Sequence, residues 1–260
     1  LQRFVEFVVL PEWLPRRPLM CQAIASLEPT DLTRMFGQEG GDVEFWQKFI
    51  EVVCEREARI RGTLDADTIL KVLQTLSRYT RTKSADVGPI SFSEIQRAFE
   101  EVLGRQPIEE ASLLLQRLPG LGRTESESDE RKFIDTYILD GLRAYNVFSE
   151  VMEEQRPSWN EDWVNPLYGL GQRVLGHKIA HENLQRRFLR YVDRCVAGKN
   201  KIMAGDIAAS LLRGHVNEAI PFDYGGLVLQ GTCISELDMS VAYPTNLTIC
   251  DSILEIIRFP

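Results

Sequence analysis

The chain is 260 residues long, 44% hydrophobic and 26% charged, with a formal net charge of −8 and a pI near 5.1. An ordinary apolar fraction supports a packed core of one or two domains and excludes wholesale disorder. The acidic balance argues against nonspecific nucleic-acid binding, which needs clustered Lys and Arg, and no apolar run reaches the length of a membrane span, about 18 residues.

Pro11, Pro15 and Pro18 follow an apolar opening, so residues 1–36 predict a short element, a turn and a helix, broken by Gly37, Gly40 and Gly41. Phe45, Phe49, Val52, Val53 and Ala58 recur at helical spacing and predict an amphipathic helix over 43–61. Asp65 and Asp67 open the next, which carries Ile69, Leu70, Leu73 and Leu76 to about Tyr79. After a polar loop at 80–87, Ser91 and Glu94 stand at capping-box spacing and start a helix over 92–103, ended by Gly104. Pro107 and two Glu open a helix at 108–118 that stops at Pro119-Gly120. Short strands at 120–123 and 131–134 flank the polar hairpin tip TESESDE, and a helix follows over 135–153. Trp159 and Trp163 anchor a polar linker at 154–165; helix resumes over 166–197 and 202–214. Beyond Phe222 the pattern changes to strands and turns, making the chain mainly α with a β tail.

That tail repeats itself. Ile234, Leu237 and Met239 return as Leu254, Ile257 and Phe259, 20 positions later. Apolar or ring residues also fall every fifth position, at Leu229, Ile234, Met239, Pro244, Ile249, Leu254 and Phe259. Four five-residue sides make one coil of a square β-solenoid, and a period of 20 also fits the shortest leucine-rich repeat; Pro244 suits a corner and favours the former. A solenoid needs about three repeats or a cap. The two coils here, with Leu1 in place of Met, predict a chain cut at both ends. Five scattered cysteines (Cys21, Cys54, Cys195, Cys233, Cys250), with no CxxC pair and no signal peptide, predict a reducing, cytoplasmic setting, in which the sequon at Asn246 has no role.

Helix, capped helix, helix, short hairpin, helix is the order of a winged helix. Within it, RKFIDTYILDGLRA (131–144) resembles the closing strand and helix of the winged-helix subdomain of bacterial NACHT-type STAND ATPases. Their motif runs Phe-x-His-x-x-Phe-x-Glu and ends in Ala; Phe133, Asp135, Ile138, Asp140 and Ala144 occupy its positions. EREARI (55–60), ISFSEIQRAFEEV (90–102) and LLLQRLPGLGR (113–123) are similar to the preceding helices of that subdomain. The resemblance implies four parts: a helical segment at 1–42 after an ATPase core absent from this chain, a winged-helix domain at 43–153, a helical linker or bundle at 154–220, and the start of a pentapeptide-like sensor repeat at 221–260. It further implies a non-catalytic regulatory segment of a signalling or antiviral-defence ATPase. Its partners are the upstream ATPase domain and a protein trigger or effector on the repeats, with oligomerisation on activation. Nucleic acid and membrane are not expected partners.

ATP or ADP belongs to the parent protein in this reading, and no cofactor to the chain itself. No GxxxxGK(S/T) loop occurs, and GKNKIM (198–203) lacks the glycine spacing that a phosphate cradle needs. The family's nucleotide-facing His is replaced by Asp135, whose carboxylate repels a diphosphate unless a metal, Arg131 or Lys132 intervenes.

Other constellations have two readings each. His177 and His181, at i and i+4 beside Glu182, have metal-ligand spacing, but no third ligand is evident and the favoured reading is two helical histidines beside a basic patch. Glu55, Arg56, Glu57 and Arg59 form a polar switch or a solvated helix face. Arg186, Arg187, Arg190 and Arg194 meet a phosphate or acidic partner, or make interdomain ion pairs. Glu109 and Glu110 against the single Arg117 argue against DNA reading by helix 108–118. Cys54 and Cys195 read as buried small residues, and Cys233 and Cys250 as inward stackers in the solenoid. Two further functions therefore stand beside the regulatory one: a self-standing repeat scaffold, and a metal-dependent enzyme using His177 and His181.

Overall fold

The computed structural model describes residues 21, 24–25, 27–30, 41–62, 64–125, 128–153, 158–214, 220–240 and 242–259. The elements expected between 1 and 36, and the centre of the TESESDE tip, lie largely outside them. Among the described residues the helices are α1 (Asp42–Arg61), α2 (Ala66–Thr80), α3 (Phe92–Leu103), α4 (Glu109–Leu115), α5 (Thr136–Glu153), α6 (Gly169–His181), α7 (Gln185–Ala197) and α8 (Lys201–Arg213). Strands β1 (Leu121–Arg123) and β2 (Arg131–Phe133) lie between α4 and α5; β3 (Ile220–Gln230), β4 (Cys233–Asp238), β5 (Ala242–Cys250) and β6 (Ile253–Arg258) follow α8. The protein is mainly helical with a few short strands.

Two compact units divide it: Leu1–Leu76 with Val87–Leu139, and Ser77–Asp86 with Asp140–Pro260. The residues that follow α2, and most of α5, belong to the second unit, where Arg81 and Arg143 have their charged partners.

In the first unit, Trp46, Phe49, Ile69, Leu73, Ile90, Ile95, Phe99, Leu115 and Phe133 are buried. Asp65 caps α2, accepting from Thr68 N at 2.8 Å and Thr68 Oγ1 at 2.9 Å. The capping box of α3 is complete: Ser91 Oγ accepts from Glu94 N at 3.2 Å, and Glu94 Oε2 accepts from Ser91 N at 2.8 Å. α4 is shorter than expected, since Arg117 N closes a tight turn on Leu114 O at 2.8 Å ahead of Pro119. β1 and β2 pair antiparallel, Leu121 opposite Phe133. Arg131 pins the hairpin by donating to Gln116 O at 3.1 Å and Asp129 O at 2.9 Å.

In the second unit the stretch expected as helix over 166–197 is broken. Asn183 adopts φ 56°; its N–H donates to Ala180 O at 3.1 Å while Leu184 N donates to Ile179 O at 2.9 Å. These two bonds are a Schellman motif, which Asn tolerates second only to Gly. The tail forms two parallel two-stranded sheets, β3 with β5 and β4 with β6, and neither closes. Ile234 pairs with Leu254 and Leu237 with Ile257, the residues related by the 20-residue echo. β3 holds the same offset from Leu227 (opposite Leu247), but Ile220 faces Ala242, an offset of 22. Gly225 and Gly226, at φ 66° and 88°, absorb the two extra residues in a bulge.

Ser91→Ala removes one half of the capping box and is expected to destabilise the first unit by about 1 kcal/mol, measured as a shift in its urea midpoint. An unchanged midpoint contradicts a complete box.

Candidate functional site

The second unit is organised by charges placed where apolar residues are the norm. Asp140, in the second turn of α5, is 3% exposed. Its Oδ1 accepts from Tyr168 N at 2.8 Å and its Oδ2 from Gly171 N at 2.6 Å. α6 has no side-chain cap of its own, so this carboxylate serves its orphan N–H groups from another helix. Such proximity requires glycine: a Cβ at Gly171 would lie 2.6 Å from Asp140 Oδ1. Burial pushes the Asp140 carboxyl up to about 6, with the two N–H donors and Arg143 pulling the other way.

Arg143, one turn on, is equally buried. It donates to Thr80 Oγ1 at 2.6 Å, Asp86 Oδ1 at 2.7 Å and Asp86 O at 2.9 Å. Arg81 and Asp206 form an ion pair whose side chains are 1% and 0% exposed. Asp206 also accepts from Leu167 N at 2.7 Å. The Arg81 guanidinium lies 4.1 Å from the Trp163 ring centroid, so the aromatic of the linker covers it. Asn165 completes the strap, donating through Nδ2 to Thr80 O at 2.8 Å and Lys83 O at 2.9 Å.

A second polar set joins the β tail to the helices. Tyr224 donates its hydroxyl to Ala208 O and Thr232 its hydroxyl to Lys201 O, both at 2.6 Å. Arg213, at the end of α8, pairs with Glu236 at 2.8 Å and Asp238 at 3.3 Å, and donates to Gln172 Oε1 of α6 at 3.0 Å. Glu236 pairs in turn with Arg258 of β6.

The third feature is α7. Arg187, Arg190, Tyr191 and Arg194 line a cleft of about 280 Å³. Arg187 donates to Val151 O at 3.1 Å and Met152 O at 2.8 Å, the last carbonyls of α5, and Arg194 lies 5.8 Å from the Trp159 ring centroid. The Tyr191 hydroxyl donates to Glu150 at 2.9 Å, which also binds the hydroxyl and N–H of Ser158.

Of the residues singled out from sequence, Asp135 caps α5, accepting from Tyr137 N at 2.7 Å and Ile138 N at 3.3 Å; that is a local reason for a carboxylate there. His177 is half-buried and His181 exposed, with ring centroids 6.2 Å apart. Among the described residues no group of three or more His, Cys, Asp or Glu is placed to hold a metal ion. Glu55, Arg56 and Glu57 are half-buried and Arg59 exposed on α1. Cys54 and Cys195 are buried; burial, then Glu57 and Glu55, pushes the Cys54 thiol up to about 12, away from nucleophilic use. Cys233 and Cys250 are half-buried rather than fully inward, since the ladder carries only two strands. No helix of the described residues is long and apolar enough to cross a membrane. No protein-family model, curated protein or solved structure matches the chain.

The Arg81–Asp206 pair sets one expectation. Arg81→Met strands a buried carboxylate and is expected to cost about 3–5 kcal/mol of stability, whereas adding Asp206→Leu recovers most of it. Urea unfolding of both variants measures this; equal losses would exclude a paired role. Asp140 sets another. Its folded pKa exceeds the usual 3.8, so folding takes up a proton. The stability this contributes is full below about pH 4 and is lost as pH rises through about 6, some ~3 kcal/mol in all. Native stability relative to Asp140→Asn is therefore expected to fall between pH 4 and 6 and level off above; a pH-independent difference contradicts the shift.

Proposed function

We propose that the chain is a non-catalytic regulatory and sensor-linking segment of a STAND (NACHT-like) signalling ATPase, of the kind used in bacterial antiviral defence or signalling. The observation that carries this is the 20-residue parallel ladder bonded to α8. Burial falls along it: Leu229 and Ile234 are buried, Ile249 and Leu254 one period later are half-buried, and Ile256 and Ile257 are exposed. The shared 20-residue offset of the two ladders supports a solenoid-like stacking of the tail, in which successive coils bury one another. Arg213 supports the linking role, because it holds α6, α8 and β4 at once. A trigger that binds the repeats better in one arrangement shifts the population toward it, and these bonds carry the shift to the helices.

The order of α1 to α5 around the β1–β2 hairpin supports a winged helix over 43–153. ATP or ADP belongs, in this reading, to an ATPase core elsewhere in the polypeptide. Asp135 then couples to nucleotide through the helix end it caps. Five free cysteines support a reducing, cytoplasmic compartment. A second reading, a self-standing repeat scaffold, is favoured by the exposed Ile253, Ile256 and Ile257 of β6, which a protein partner covers as well as another coil does.

The sequence encoded before Leu1 is expected to contain a Walker A and an acidic Walker B motif. In the complete polypeptide, Asp135→Arg replaces repulsion of a diphosphate by attraction and is expected to raise ADP retention roughly tenfold. A polypeptide lacking a Walker A, or unchanged retention with unchanged basal activity, overturns the assignment in favour of the scaffold.

A further inference from the structure

The arginine cleft of α7 takes no part in that reading. Arg187, Arg190, Tyr191 and Arg194 are spaced i, i+3, i+4 and i+7, so one helix face presents three guanidinium groups and a phenol ring to one space. The flanking groups are held in place: Arg187 by two carbonyls of α5, Arg194 against Trp159, and Tyr191 by its bond to Glu150. Arg190, between them, is exposed. Its only hydrogen bond among the described residues is from Nε to Arg186 O, at 3.4 Å. Glu150, which accepts from the Tyr191 hydroxyl, also binds the N–H and hydroxyl of Ser158. A second, shallower depression lined by Arg186, Leu189 and Arg190 shares Arg190 with the first.

We propose that this cleft binds a small phosphorylated organic molecule, its phosphoryl group among Arg187, Arg190 and Arg194 and its body over Leu189. Guanidinium forks match the oxygens of a phosphoryl group bidentately. At about 280 Å³ the cleft is just below the range of drug-sized pockets, about 300–1,000 Å³, which suits a ligand with one phosphoryl group. A run of carboxylates on an acidic peptide needs a longer track of cations than three residues of one helix face.

Isothermal titration of the 260-residue chain with phenyl phosphate, inorganic phosphate, a hexa-aspartate peptide and sodium chloride at matched ionic strength tests this. Phenyl phosphate is expected to bind more tightly than inorganic phosphate, and both more tightly than the peptide. Arg190→Gln is expected to weaken phenyl phosphate about tenfold with an unchanged circular dichroism spectrum, while Arg105→Gln, on an exposed loop, leaves it unchanged. No heat from either phosphate at millimolar concentration overturns the proposal. So do a response matched by chloride, tighter binding of hexa-aspartate, or an affinity unaffected by Arg190→Gln.

Discussion

A guanidinium removed from water needs a counter-charge, and Arg81 obtains one from Asp206, 125 residues away along the chain. The rest of the second unit follows from that requirement. The pair holds the end of α2 to α8, the Trp163 ring shields the cation, and the second oxygen of Asp206 positions Leu167 at the entry to α6. Arg143 and Asp140 extend the set from α5, to Thr80 beside Arg81 and to the first turn of α6. Such pairs add little net stability over well-packed apolar residues. A packing that separated them would leave one of these buried charges without a partner.

Much of the local architecture was legible in the residues. Ser91 and Glu94 state where α3 begins, and Gly104 where it ends, because caps act within four residues. The tail register was legible for a related reason: when a strand pairs with its own repeat, the sequence period and the ladder offset are one number, so Ile234 had to meet Leu254. The break at Asn183 was missed because Asn marks a left-handed residue only weakly beside Gly.

The polar core was not legible. Asp206 sits within IMAGDIAASLL and Asp140 within YILDGL, and each charge among apolar neighbours was a signal that something paired it. Nothing local names the partner, which lies 28 to 125 residues away. Arg81 lay in a loop read as polar, and the residues that pair with it and cover it, Asp206 and Trp163, are both remote in sequence. The arginine stripe was legible as spacing; the groups that hold Arg187 and Arg194, the end of α5 and Trp159, were not. Asp135 illustrates the converse, a position read through resemblance that the structure also uses locally as the cap of α5.

The borrowed cap of α6 has a temporal consequence. Its first N–H groups are satisfied by Asp140, 31 residues earlier, and its entry is fixed by Asp206, 39 residues later. A chain leaving the ribosome can therefore cap α6 from α5 as soon as α6 emerges, while Leu167, which leads into it, waits for Asp206 of α8. The placement of α6 thus rests on contacts distant in sequence, which close late, and the tail is bonded to the same helix α8 through Tyr224 and Thr232.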